Sequence, residues 1–460
     1  MLAESILEVF LKNQPDNIQA LSLLAIAKLS SGKAYQAIDL FKKILLIDSN
    51  NYPALFNISN LMIKTQQFDL ARGYIERAIL LGKDNPILLN FNGIANLRLN
   101  NLKAAKKSFE KAIEIKNDYS KAYLNLSIIY SNLGKYKRAI EMIDKAYYYD
   151  NLPDYLFSKS LLHLLTGDFS SGWKLYEKRK FVIKSAKKFL FKDLPLWEIN
   201  KNLDKKKIFI FSEQGLGDTI QFCRYLYFFK KYDVKIFLHI PEALKPLIKT
   251  LDVDFSYISR EKSINICDYQ IPLMSLPYAF KTRLDSIPSV TPYLSPVKKY
   301  LYTFEGLLKK NKKIKIGLSY SGNPNHDNDY LRSIPLENLI DVMNPSFDWF
   351  LIQKEINDQD KEIIKGQNHI FHQEMNFSQI SALISSLDLI ISVDTSIAHL
   401  AGALNKRLWL LLAFNPDFRW LLNRRDSPWY PSAVLFRQES FGDWNGVLNE
   451  VKKNLELLLI

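Results

Sequence analysis

The chain has 460 residues, enough for two to four domains and a large apolar core. Apolar residues make up 47% of it and charged residues 24%, which excludes a disordered polymer, and no apolar run approaches the ~18 residues of a membrane span. Lys and Arg number 62 against 48 Asp and Glu, a net charge of +14 that suits an anionic partner; no nucleic-acid motif accompanies it, so a phosphorylated small molecule is the better match and nucleic acid is not expected.

The first segment, MLAESILEVFLKNQPDN, starts as an amphipathic helix without a basic leader or a cleavage site. It fits a cytoplasmic chain and leaves peripheral membrane contact open. An internal repeat follows. Ala37, Ala71, Ala105 and Ala139 are spaced by 34, as are Phe41, Ile75, Phe109 and Ile143, and Ile44, Ala78, Ala112 and Ala146. Small residues form a fourth column at Ala25, Ser59, Gly93 and Ser127. This pattern resembles the tetratricopeptide repeat, in which small residues let the two helices of a unit approach and larger apolar ones fill the gap beside them. A degenerate fifth unit, TGDFSSGWKLYEKR (166–179), shortens the period to 33 and is expected to cap the array. Stacked repeats present a concave face suited to a polypeptide.

Beyond residue 180 the pattern becomes that of strands alternating with helices. β-rich runs occur at 207–212, 234–239, 253–258, 267–272, 314–319, 348–353, 388–393 and 407–413, with helical stretches at 219–231, 241–250, 335–343 and 377–386 and a terminal helix in NGVLNEVKKNLELLLI. This alternation predicts parallel sheets covered by helices. The series restarts after PSVTPYLSPVKKY (288–300), which divides it into two Rossmann-like halves. The expected organisation is α + α/β: a repeat superhelix over 1–182, a first Rossmann-like domain over 183–300 and a second over 301–460. Cys223 and Cys267 are too far apart to suggest a disulfide framework, have no metal-ligand spacing and are expected to pack inside.

Ligands of such folds bind at the carboxyl ends of strands. The first run ends in EQGLGD, with Gln214, Gly215 and Gly217 leading to Asp218 and a helix expected to start near Thr219. Glycines there suit a tight turn and a close ligand, and the helix end favours an anion. Asp218 reads either as a helix cap or as a reacting carboxylate. The run 314–319 ends in Ser321, Gly322 and Asn323, whose hydroxyl, backbone and amide suit phosphate or sugar oxygens. A polar loop with His326 leads to Arg332, able to fork onto a diphosphate or to pair with a loop aspartate. "RSIPLENL" predicts a helix with Ser333 near its cap and Pro335 in its first turn. The run 388–393 ends in Asp394, Thr395 and Ser396, and a helix rich in small residues carries His399. Arg419, Trp420, Trp429 and Tyr430 either line a pocket or pack the domain seam.

Together, 208–226 and 316–438 resemble the heptosyltransferases, in the order GLGD, then the H…R-x-x-P loop, then DTSIAHLAGA. The whole chain is similar to bacterial proteins in which tetratricopeptide repeats precede such a domain, among them flagellin glycosyltransferases; GDFSSGWKLYEKR, EQGLGDTIQFCRY and RDSPWYP carry that likeness. The resemblance implies a GT-B fold and inverting transfer without metal or cofactor. It implies an acceptor-side first half with Asp218 as general base. It also implies a second half binding a nucleotide-sugar through Ser321, Gly322, Asn323, His326, Arg332, Asp394, Thr395, Ser396 and His399, with Arg332 and His399 meeting the leaving phosphate. Heptosyltransferases have a lysine at the position of Arg332 and lack the repeats. The expected acceptor is a Ser or Thr hydroxyl of a protein held by the repeats, such as flagellin. The alternatives are a lipopolysaccharide or other glycan acceptor, or a scaffold whose sugar-nucleotide fold no longer reacts.

Overall fold

A computed structural model describes residues 2–82, 85–185, 190–263, 265–308, 312–324, 329–353 and 356–460. The chain divides into two compact units, Met1–Tyr155 and Leu156–Ile460.

The first unit is built of antiparallel helix pairs, from Leu2–Asn13 through Ile18–Ser30 and Ala34–Ile47 to Ser120–Asn132 and Tyr136–Tyr149. Every member of the first three columns is buried to within 1% of full burial. Gly93 shows why its column is small: a Cβ there would lie on the Phe109 ring, 2.6 Å from Cδ1. Two further features share the period. Asn17, Asn51 and Asn85 accept from backbone amides and cap the first helix of successive units. The residue that turns the chain between paired helices has positive φ at Gly32, Gln66, Asn100 and Gly134.

The second unit holds two parallel sheets. One has the order β3-β2-β1-β4, from β1 (Lys206–Phe211), β2 (Val234–His239), β3 (Ser256–Tyr257) and β4 (Tyr269–Pro272). The other has the order β10-β9-β8-β5-β6-β7, from β5 (Lys315–Ser319), β6 (Asp348–Leu351), β7 (Ile370–His372), β8 (Leu389–Val393), β9 (Leu408–Leu412) and β10 (Ala433–Arg437). Strand order reverses between β1 and β4 and between β5 and β8, so each sheet has a crevice at those carboxyl ends. β5, β8 and β9 are buried at almost every position, as expected of strands covered on both faces. Among the described residues no helix is long and apolar enough to cross a membrane.

Several expected elements differ. The helix after β1 is Leu216–Phe222, three residues earlier than expected, because Gly215 is extended and serves as the cap. It tightens to a 3-10 helix over Cys223–Lys231. The stretch 335–343 forms only a 3-10 turn, Leu336–Leu339, because Pro335 stays extended (ψ 136°) and buried Leu336 and Leu339 hold the segment on the core. The stretch 241–250 splits into Glu242–Leu244 and Lys245–Ile248, and 253–258 pairs over two residues alone. β7 and β10 were not foreseen. Cys223 is buried, whereas Cys267 is only partly so. The helices Phe169–Tyr176 and Arg179–Val182, from the degenerate fifth unit, group with the second unit, where Trp173 packs edge-on against Phe222 and Phe418.

Candidate active site

Three loops meet at the two crevices. After β1 the chain runs through Ser212, Glu213 and Gln214 into the helix Leu216–Phe222. Asp218 occupies its third position and accepts from the Gly215 N–H through Oδ2, at 2.8 Å. Its Oδ1 accepts from Nη2 of Arg419, and the side chain stays 20% exposed. Asp218 is thus both a helix-end ligand and an ion-pair partner.

Neither glycine of the loop has positive φ, so the expected tight turn is not what requires them. They serve close approach. A Cβ on Gly217 would sit 2.8 Å from His399 Cδ2 and 3.4 Å from Ser396 Cα, and one on Gly215 would crowd Asp218 Oδ2 at 3.2 Å. The start of the helix Leu216–Phe222 therefore abuts the start of the helix Ser396–Ala403.

Thr395 caps that second helix, accepting from the Ile397 N–H at 3.3 Å, and its hydroxyl lies 3.3 Å from Ser392 and 3.5 Å from Ser319 at the end of β5. Ser396 opens the helix. Asp394, at the end of β8, has its carboxyl pushed up to about 7 by burial and by neighbouring Asp417. Arg332 donates from Nη1 to the Asp394 carbonyl at 2.9 Å and from Nε to Asp329 at 3.0 Å. It thus makes the aspartate pair and also reaches the Asp394–Ser396 turn. Gly322 has no room for a side chain beside that pair, and its N–H donates to the Ser333 hydroxyl. Gln353 donates to the Ser321 carbonyl and hydroxyl, both at 2.8 Å. Asn323 is exposed, and His326 lies outside the described residues.

His399 carries no positive charge. Burial, then Arg419, Arg224 and Arg332, hold its imidazole well below the usual histidine range, so it is neutral. Its Nδ1 lies 3.0 Å from the Tyr430 hydroxyl and its ring stacks on Trp420. It acts as a packed spacer between the two helix ends.

The Arg- and Trp-rich segment after β9 packs the seam. Trp420, Trp429 and Tyr430 are fully buried. Trp429 meets Phe222 edge-on, and its carbonyl accepts from Nη1 of Arg224 at 2.7 Å. Arg224 also donates to the Pro288 carbonyl and the Tyr293 hydroxyl and lies over the Tyr293 and Tyr430 rings. Sequence reasoning missed Arg224, Gln221 and Glu213. Glu213 is fully buried and accepts from Nη2 and Nε of Arg179 at 2.7 and 3.2 Å; burial raises its carboxyl above the ordinary value. Gln214 donates to the Tyr176 hydroxyl at 3.1 Å, and Ser185 donates to the Glu213 carbonyl at 2.6 Å. The loop before Asp218 is therefore held from the segment 176–185.

The arrangement brings a part-exposed carboxylate, two helix starts and two arginines to one place. Such a set can bind an anion and accept a proton beside it.

Residues 352–425 match glycosyltransferase family 9 (heptosyltransferase), and residues 93–119 and 108–141 match the tetratricopeptide repeat. The chain joins tetratricopeptide repeats to a glycosyltransferase domain. Protein FlbA of Caulobacter vibrioides is 22% identical over 376 residues, which cover 75% of this chain and 62% of FlbA. The chain therefore spans less than two thirds of the length of that relative. Among solved structures, a tetratricopeptide repeat protein of Parabacteroides merdae is 17% identical, covering 39% of this chain and 71% of its own, with a TM-score of 0.36. A thermophilic tetratricopeptide-repeat protein of Thermus thermophilus is 16% identical, covering 36% and 90%, with a TM-score of 0.32.

Proposed function

We propose that the chain is an inverting, metal-independent glycosyltransferase of GT-B type that moves a sugar from a nucleotide-sugar to a Ser or Thr hydroxyl of a protein, flagellin foremost. The repeats select the polypeptide. The half up to about residue 300 faces the acceptor, and the half beyond it holds the donor. The observation that carries the reading is Asp218, part exposed and paired with Arg419, on a helix whose Gly217 abuts the start of the helix Ser396–Ala403.

In this reading the donor diphosphate lies at the Thr395–Ser396 helix start, where backbone N–H groups and Arg332 meet its charge. Ser321, Gly322 and Asn323 line the neighbouring strand end and contact sugar or phosphate oxygens. Asp394 bears on the anion through its carbonyl grip on Arg332. His399, being neutral, holds the spacing of the two helix starts. Asp218 takes the proton of the acceptor hydroxyl as that oxygen attacks the anomeric carbon from the face opposite the phosphate. A single displacement inverts the centre and needs no covalent intermediate.

The test is the intact mass of flagellin co-expressed with a sugar-nucleotide pathway and either the natural chain or Asp218→Ala. A sugar-sized gain that the variant abolishes is expected. A gain that persists in the variant removes Asp218 as base, and no gain on any protein moves the acceptor to a glycan.

A further inference from the structure

Arg419 stands on the 3-10 turn Phe418–Trp420, after β9, and reaches across to the helix Leu216–Phe222. Its three nitrogens engage three side chains: Nη2 donates to Asp218 Oδ1, Nη1 to Asp417 Oδ1 at 2.8 Å and Nε to Gln221 Oε1 at 2.5 Å. The guanidinium lies over the Phe418 ring at 4.4 Å and the Phe222 ring at 5.4 Å, and the side chain is only 7% exposed. A guanidinium has five N–H groups, so these bonds leave two. Arg224 is a poor substitute for it, since four of its five N–H groups are engaged by two seam carbonyls, a tyrosine hydroxyl and the Gln221 carbonyl. His399 is neutral. Of the arginines near the two helix starts, Arg332 serves the Asp394 turn, while Arg419 pairs with Asp218 and lies close enough to lower the Asp394 carboxyl through its charge.

We infer that Arg419 is a catalytic residue of the transfer: it pairs with Asp218 in the resting site and extends its charge to the leaving phosphate while Asp218 takes up the acceptor proton. This rests on the transferase reading above and adds a role to it. The balance is simple. The acceptor O–H proton goes to Asp218, the acceptor oxygen bonds to the anomeric carbon, and the bond from that carbon to the phosphate oxygen breaks with its electron pair on the phosphate. One negative charge vanishes at Asp218 as one appears on the phosphate. Arg419 keeps its own charge throughout and answers whichever anion is present. Pairing also restrains the carboxylate until a phosphate draws on the guanidinium, which couples base strength to donor binding. A planar fork suits this double duty and an ammonium does not.

The inference makes an unusual demand: removing the carboxylate should improve anion binding. Inorganic pyrophosphate, titrated calorimetrically into the full chain at fixed ionic strength, is the probe. Asp218→Asn keeps the shape but releases Arg419 and removes a nearby like charge, and should tighten pyrophosphate roughly three- to tenfold. Arg419→Gln should weaken it by about tenfold or more, and the double variant should match Arg419→Gln with the gain gone. An Asp218→Asn affinity equal to or below that of the natural chain overturns the inference, as does an unchanged affinity in Arg419→Gln. Should Arg419→Gln fail to fold, Arg419→Lys takes its place and must still erase the gain from Asp218→Asn. Flagellin modification separates the two levels. If transfer is lost in Asp218→Asn while its pyrophosphate affinity is unchanged, the transferase reading stands and Arg419 falls. If the natural chain transfers to nothing, the catalytic role falls with the reading.

Discussion

Arg179→Met tests how the loop in front of Asp218 is held. Arg179 and Glu213 are both fully buried and joined by two hydrogen bonds. Burial already raises the Glu213 carboxyl, with Arg179 opposing it. A raised value means the fold prefers the protonated form, so Glu213 contributes most below its unfolded value near pH 4.5 and loses that contribution as pH rises through its folded value. Removing the guanidinium raises the folded value further. Relative to the natural chain, each pH unit between its folded value and the higher one of the variant then costs about 1.4 kcal/mol, up to the 3–5 kcal/mol typical of a buried charge stripped of its partner. The expected deficit is therefore small near pH 5 and rises toward about 3–5 kcal/mol near pH 8. All seven tryptophans lie at or beyond Trp173, so denaturant unfolding followed by tryptophan fluorescence reads the second unit alone. Arg179→Met with Glu213→Gln should recover most of the loss and flatten its pH dependence. Equal deficits at pH 5 and pH 8, or a double variant no better than the single, would refute the reasoning.

Gly93→Ala should destabilise the repeats by about 1–3 kcal/mol through overpacking on Phe109, with recovery when Phe109→Leu is added; far-UV circular dichroism melts check this. His399 is neutral when folded and its value is depressed, so its contribution is present above about pH 6.5 and is lost as pH falls. His399→Gln should reduce the acid destabilisation of the second unit between about pH 6.5 and 5, measured by the same fluorescence.

Much of the architecture was legible because it repeats or is local. The Ala37 and Phe41 columns mark the first unit, and the strand ends at Phe211, Ser319 and Val393 fall at the two crevices. The degenerate positions were harder. β7 is three residues long, and the tight helix after Pro335 looks like an α-helix in side-chain pattern alone. The seam was not legible in detail. Arg419 meets Asp218 across 201 positions of chain and Arg224 meets Trp429 across 205, and no period or spacing announces such pairs. The only signal was the density of Arg and Trp between 414 and 438, which marked the segment without assigning its partners. Glu213 gave less still, since an acid beside GLGD looks solvated until Arg179 is found opposite it.

The grip of Tyr176, Arg179 and Ser185 on residues 213 and 214 bears on how such proteins can be recombined. A natural or engineered exchange of one repeat array for another, made to redirect the chain to a new target, cannot cut at the end of the helical region. A junction after Val182 would import foreign residues at 176 and 179 and leave Glu213 and Gln214 without their anchors. The safe junction lies upstream, near the Tyr155–Leu156 division, so that the last helices are inherited together with the chemistry they support.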